Sequence, residues 1–275
     1  MKIALVAILA AMPLKAFAQV EAGTFIALSS SQNEIVVAAD SRAYSGRVES
    51  DDSCKIRAFG GKLIFAVAGD AADEHTTRAE LSWDSRTIAR DLFFQLSKKI
   101  TVEPMSIRLA TAWGNEVKSK LKAEILRDRR IISDKSSGED LASALFASFD
   151  QNSPLIVVVH ITYSLDPHGL INTQSSISNI YRSPQRIVLG HTDLGAEFGT
   201  LSTPRSRQWA ESTPFSADQI ATFAIRAVEF SIEYSPLDRF EGYTFRSIGG
   251  PVDAVRLSSE SGVEWIKRKS NCPKD

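Results

Sequence analysis

The chain has 275 residues and many side chains able to act as nucleophile, acid or base, but the commonest arrangements of them are missing. No serine sits in a G-x-S-x-G sequence, so the strained strand-to-helix elbow that exposes such a nucleophile has no counterpart here. Ser119 and Lys122 make an S-x-x-K pair, yet they lie in the basic stretch from Lys118 to Arg130. There Lys120, Lys122, Arg127 and Arg129 interleave with Leu121, Ile125 and Leu126, which is the pattern of a helix with a solvated charged face. The four histidines, His75, His160, His168 and His191, show no metal-ligand spacing with one another or with cysteine. No glycine-rich loop suggests a nucleotide, so neither metal nor cofactor is expected. Single residues such as Thr24, Asp40, Lys55 and Gly69 carry no catalytic spacing of their own. Taken singly, each has an ordinary explanation. A β-branched threonine opens a strand, an aspartate after an apolar run caps a turn, a lysine beside Cys54 is solvated, and a glycine supplies turn geometry.

The segments around these residues read as strands. Ile35–Ala39, Leu63–Ala68 and Leu155–Val159 are short, continuous apolar runs rich in β-branched side chains, which points to strands covered on both faces. Gly60-Gly61 and Asp166-Pro167-His168-Gly169 carry the turn chemistry of hairpins. Helical periodicity appears over Ser85–Ile100, where Ile88, Leu92, Phe93 and Leu96 share a face, and again after Pro104 through about Arg130. A further helix is predicted over Ala217–Tyr234, opened by a capping-box pattern at Ser216 and Gln219 and ended by Pro236. Final strands are predicted at Val252–Leu257 and Val263–Ile266. This order implies an α+β, four-layer αββα sandwich, with two mainly antiparallel sheets between helix layers.

Composition narrows the functional classes. With 43% apolar and 24% charged residues and a net charge of −1, the chain has material for a well-buried core and no electrostatic case for binding nucleic acid or an anionic membrane. Residues 1–18 stand apart: Lys2, an apolar run from Ile3 to Leu14, then Ala16-Phe17-Ala18 in the A-x-A form that signal peptidase cuts. The run falls short of the roughly 20 residues a membrane span needs, so it reads as a cleaved signal peptide rather than an anchor. Cleavage after Ala18 would leave a soluble periplasmic or secreted protein beginning at Gln19. In that oxidising setting Cys54 and Cys272 are either one bridge, tying the C-terminal tail to the domain, or two free thiols.

Between Gly23 and Asp73 the sequence resembles the opening of proteasome β-subunits, which are N-terminal-nucleophile (Ntn) hydrolases. The resemblance rests on Gly23-Thr24, on Ile35-Val36-Val37-Ala38-Ala39-Asp40-Ser41-Arg42-Ala43, on Lys55-Ile56, and on Ala66-Val67-Ala68-Gly69-Asp70-Ala71-Ala72-Asp73. The intervals agree as well, except that Asp40 to Lys55 is one residue shorter than usual. Gly249-Gly250-Pro251-Val252-Asp253-Ala254-Val255 and Gly262–Ile266 look like the last strands of the family. The resemblance implies one proteasome-like domain over 24–266, preceded by a signal peptide at 1–18 and a short propeptide at 19–23, and followed by a polar tail at 267–275.

It also implies roles. Thr24 would be the nucleophile, with its own α-amine as the base once the Gly23–Thr24 bond is cut. An α-amine, with an unperturbed pKa of roughly 7.7–8.0, is partly neutral near pH 7. Lys55 would favour the ionised hydroxyl, Asp40 would hold the lysine, and the Gly69 N–H would face the oxyanion. Arg42 and His191 would support the site, and Ser41, Tyr44, Asp70 and Ala71 would lie near a substrate cleft. The sequence departs from the family at His191, Phe245 and Ile248, where a serine, an aspartate and a serine are usual. Two functions follow. One is an exported amidohydrolase or peptidase acting on a peptide or small amide, as a homo-oligomeric ring by family analogy and without an ATPase partner. The other is an inactive proteasome-like binding or assembly protein.

Overall fold

The computed structural model describes residues 24–45, 48–69, 72–73, 83–132, 136–190, 192–200, 203–212, 220–235, 237–240 and 243–273. The signal and propeptide segments with Ala18 and Gly23, the cleft residues Asp70 and Ala71, His191, and the capping residues Ser216 and Gln219 lie outside them. The chain opens with strands β1 (Phe25–Ser30), β2 (Glu34–Ala39), β3 (Ala43–Ser45), β4 (Val48–Ser50), β5 (Ile56–Phe59), β6 (Leu63–Gly69), β7 (Ala72–Asp73) and β8 (Trp83–Asp84). Helices α1 (Ser85–Ser97) and α2 (Met105–Arg127) follow, then strands β9 (Asp140–Asp150), β10 (Ser153–Leu165), β11 (Ile171–Tyr181) and β12 (Arg186–Gly190). After helices α3 (Thr192–Thr200), α4 (Pro204–Ser212) and α5 (Ile220–Tyr234) come β13 (Leu237–Phe240), β14 (Tyr243–Arg246), β15 (Asp253–Ser258) and β16 (Gly262–Lys267).

Ten strands build two five-stranded antiparallel sheets, one in the order β12-β1-β2-β15-β16 and one in the order β11-β10-β9-β6-β5. Alternate residues of a strand face opposite ways, so each continuous apolar run feeds two different cores. In β1, Ile26 and Leu28 join Val37, Ile64, Leu145, Ile156 and Val158 between the sheets. Phe25 and Ala27 turn outward, against Leu194 and Phe198 of α3 and Phe223, Ala224 and Phe230 of α5. On the far side, Phe65, Phe146, Val157 and Val159 of the second sheet pack on Leu109, Trp113 and Val117 of α2. The result is a four-layer αββα sandwich, as the pattern of doubly covered strands implies.

The helices begin where their caps allow. Asp84 accepts from the backbone N–H groups of Arg86 and Thr87, which caps α1. On α2, Lys120, Lys122 and Arg127 are exposed while Leu121 and Ile125 are buried. The Ser119 hydroxyl donates back to the Asn115 carbonyl at 3.0 Å, so the S-x-x-K pair is part of a solvated helix face.

Leu145 is fully buried between the two sheets. Leu145→Ala is expected to cost about 2–5 kcal/mol, read from urea unfolding, because a closely packed sandwich cannot collapse into the space left.

Candidate active site

Asp40 follows directly on β2 and is completely buried. A buried carboxylate needs partners, and this one has four. Its Oδ1 accepts from the Phe25 N–H at 2.9 Å and from Lys55 Nζ at 2.9 Å. Its Oδ2 accepts from the N–H groups of Arg42 at 3.2 Å and Gly249 at 3.1 Å. Lys55, only 1% exposed, stands just before β5 in the other sheet, so the ion pair bridges the sandwich. An apolar pair of similar volume would hold the sheets about as well, so stability alone does not account for these charges.

Thr24 lies immediately before β1, is 2% exposed, and its Oγ1 has no hydrogen-bond partner among the described residues. The next amide, Phe25 N–H, and the Lys55 ammonium meet on one oxygen of Asp40. The Thr24–Phe25 peptide is therefore seated on the ion pair. Gly190 ends β12 opposite Phe25 with a φ of +89°, and a Cβ there would fall 1.6 Å from the Thr24 carbonyl oxygen, so no other residue fits. Gly69 ends β6 with a φ of +88°, and a Cβ on it would strike the Leu141 carbonyl at 2.4 Å. Backbone crowding thus fixes glycine at both positions. The two glycines line the same cavity between the ends of the sheets.

The remaining sequence candidates fall at different depths. Arg42 is held by a two-pronged ion pair to Asp51, Nε to Oδ1 at 2.8 Å and Nη2 to Oδ2 at 3.1 Å. The hydrogen bond from Arg42 holds the Asp51 carboxyl below its ordinary range. That contribution is present above the ordinary Asp range and is lost as pH falls through the depressed value. Ser41 is fully buried and donates its hydroxyl to the Pro251 carbonyl at 2.6 Å; it braces the loop before β15 and does not line the cavity. Tyr44 pairs with Glu49 in the β3–β4 ribbon. Phe245 lies in β14 opposite Asp238, and Ile248 is a core residue packed with α5.

Cys54 and Cys272 form a disulfide. The tail it fastens is docked rather than trailing. Lys269 pairs with the buried Asp253 at 2.9 Å and donates to the Ser53 carbonyl at 2.7 Å, while Asn271 Nδ2 reaches the Asp52 carbonyl at 3.4 Å. The domain therefore extends past Ile266, to Cys272. Asp51, Asp253 and Lys269 carry no spacing signal in the sequence; the closeness of Cys54 to Lys55 is the one clue that the tail bears on the site. Among the described residues no group of acidic, histidine or cysteine side chains could hold a metal, and no helix is long and apolar enough to cross a membrane.

Fold and site together define a two-sheet sandwich with a buried lysine–aspartate pair beneath the first residue of an inner strand. No family model matches the chain, and no curated protein does. Among solved structures it is similar to a Gly-1 mutant of Anbu from Hyphomicrobium sp. strain MC1, at 12% identity, over 90% of this chain and 89% of that one, with a TM-score of 0.48.

Asp40→Asn strips the charge partner from a buried ammonium. It is expected to cost about 3–5 kcal/mol in urea unfolding near neutral pH, with most of the loss recovered in Asp40→Asn/Lys55→Met. Cys54→Ser is expected to cost about 2–5 kcal/mol under oxidising conditions and nothing further when reductant is added.

Proposed function

We propose that this chain is an exported threonine-type amidohydrolase of the proteasome-like Ntn kind, with Thr24 as its nucleophile. The observation that carries the reading is the buried, unpartnered Thr24 hydroxyl at the head of β1, on a peptide seated on the Lys55–Asp40 pair. A threonine hydroxyl is a weak nucleophile, and a fixed ammonium lowers the cost of ionising it. Asp40 keeps that ammonium in place with one oxygen while its other oxygen is held by two backbone amides.

Activation begins with the chain itself. Thr24 Oγ attacks the Gly23 carbonyl, the Gly23–Thr24 C–N bond breaks, and an ester joins Gly23 to the Thr24 side chain. Water then hydrolyses the ester, leaving a Gly23 carboxylate and a free Thr24 amine. In turnover that amine takes the hydroxyl proton as Oγ attacks the substrate carbonyl, and it returns the proton to the departing amine. The Gly69 N–H is assigned to the oxyanion, which glycine suits because substrate can approach its backbone. Water releases the acyl group. The disulfide supports an oxidising compartment and so supports export. A peptide or small amide is the expected substrate, with no ATP-driven partner.

One observation favours the second reading, a binding or assembly protein. Ile248 packs into the outer core where the family places a polar group beside the threonine amine. Intact mass and N-terminal sequence of the exported protein decide between them. An amidohydrolase begins at Thr24, and its Thr24→Ala variant begins at Gln19. If both proteins begin at Gln19, the amine is never released and the binding reading replaces the catalytic one.

A further inference from the structure

The two inward-facing rows that line the space between the sheets change character as they approach the Thr24 end. On β9 the row runs Ala147, Leu145, Ser143, and on β10 it runs Ile156, Val158, His160. Ala147, Leu145, Ile156 and Val158 belong to the inter-sheet core, whereas the third member of each row is polar. An inward position given up by the core is where a fold sets local rules aside for function.

Ser143 is 6% exposed, and its Oγ donates to Asp140 Oδ2 at 2.9 Å and lies 3.0 Å from His160 Nδ1. His160 Nδ1 is in turn 2.5 Å from the same Asp140 oxygen. The residue types are those of a hydrolytic triad, but the geometry is not. Such a triad needs the carboxylate on one imidazole nitrogen and the serine on the other; here a single nitrogen meets both. Ser143 therefore donates its hydrogen bond to a carboxylate, and the His160 ring is not placed between the two. The cluster is built to present a charged, hydrogen-bonding surface.

That surface closes one end of the cavity that starts at Gly69 and Gly190. The cavity holds about 340 Å³, at the lower end of the roughly 300–1,000 Å³ typical of ligand sites. Val158, Ile187 and Leu189 form an apolar wall, and Glu139, Asp140 and His160 lie at the polar end. Among the described residues that line it there is no lysine or arginine. An apolar wall leading to two carboxylates is complementary to an alkyl stem with a positive head.

We infer that this cavity is a subsite for a cationic side chain of the substrate, an ammonium or guanidinium on an aliphatic stem. Its place in a reaction rests on Thr24 being the nucleophile; its binding of cations does not. Glu139 and Asp140 supply the charge, and the His160–Ser143 hydrogen bonds hold the Asp140 carboxylate in place. The amidase reading then narrows to amides next to a lysine- or arginine-like group.

The test is a binding titration of the full chain carrying Thr24→Ala, followed by NMR or calorimetry. The probes are the Nα-acetyl amides of arginine, lysine, norleucine and glutamate. The arginine and lysine amides are expected to bind at least about tenfold more tightly than norleucine amide, a 1.4 kcal/mol difference. That preference should vanish in Glu139→Gln/Asp140→Asn, or fall in each single variant if the double variant does not fold. Equal binding of norleucine amide, tighter binding of glutamate amide, a preference that survives loss of both carboxylates, or no binding at all overturns the subsite. Activity of the unmutated protein separates the two proposals. Cation binding without amide hydrolysis keeps the subsite and removes the nucleophile, while hydrolysis without cation preference does the reverse.

Discussion

Four parts of the chain converge on the Asp40 carboxylate: the head of β1 through Phe25, the turn after β2 through Arg42, the loop before β15 through Gly249, and the approach to β5 through Lys55. Three of these belong to one sheet and its loops and the fourth to the other, so the two sheets are keyed together at a single buried group. Burying that carboxylate is tolerable only because every donor is present at once. The arrangement therefore behaves as a unit. If the Gly249 loop or the Lys55 approach shifts, an ionised group is left short of partners in a dry interior. The pair adds little stability over an apolar filling, and what it fixes is the position of the Thr24–Phe25 peptide relative to a positive charge.

The segment that delivers Lys55 to this point, residues 51–54, is a short loop with no regular structure to stiffen it. It is held from both flanks instead. Arg42 clamps Asp51 on one side; on the other the tail contributes Lys269, Asn271 and the Cys54–Cys272 bridge. The bridge spans a sequence separation of 218 residues, so in the unfolded chain it closes nearly the whole domain into one loop. Fastening the terminus thus restrains both the global fold and the residue next to the bridge. A tail that by composition reads as solvated becomes part of the site's support.

Much of this was legible in the sequence wherever apolar runs and turn chemistry coincide. β2 and β6 follow from continuous apolar runs, α1 and α2 from helical periodicity, and the Gly60-Gly61 hairpin from its glycines. The strand β9 is invisible by that route. Its Ala142, Ser143, Ala144, Ala147 and Ser148 carry no β-branched signature, and it is made a strand by β6 and β10 pairing on either side. The Gln151-Asn152 turn that joins β9 to β10 takes positive φ at both residues without a glycine to advertise it. The site divides in the same way. Thr24, Asp40, Lys55 and Gly69 stand out only through the resemblance to proteasome β-subunits, at the spacing of that family. Asp51, Asp253, Lys269 and the Ser143–His160–Asp140 cluster come together only through strand register and tail docking, which no local window contains.

The register also explains why the cavity and the buried pair share one end of the sandwich. β1 is an inner strand, laddered to β12 on one side and β2 on the other, so Thr24 cannot drift without breaking pairs at Gly190 or Ala39. Gly69 leaves β6 opposite Ala142 of β9, with Ser143 one residue and Asp140 two residues from that partner. Once Asp40 and Lys55 key the sheets together, the starts of β1 and β9 and the end of β6 are fixed with respect to one another. Polar residues on the inward rows of β9 and β10 then face a cavity walled by β6, β9, β10, β11 and β12. The Thr24–Phe25 peptide and the cavity beside Gly190 are thus held by the same keyed sheets, through Asp40 on one side and through β12 on the other.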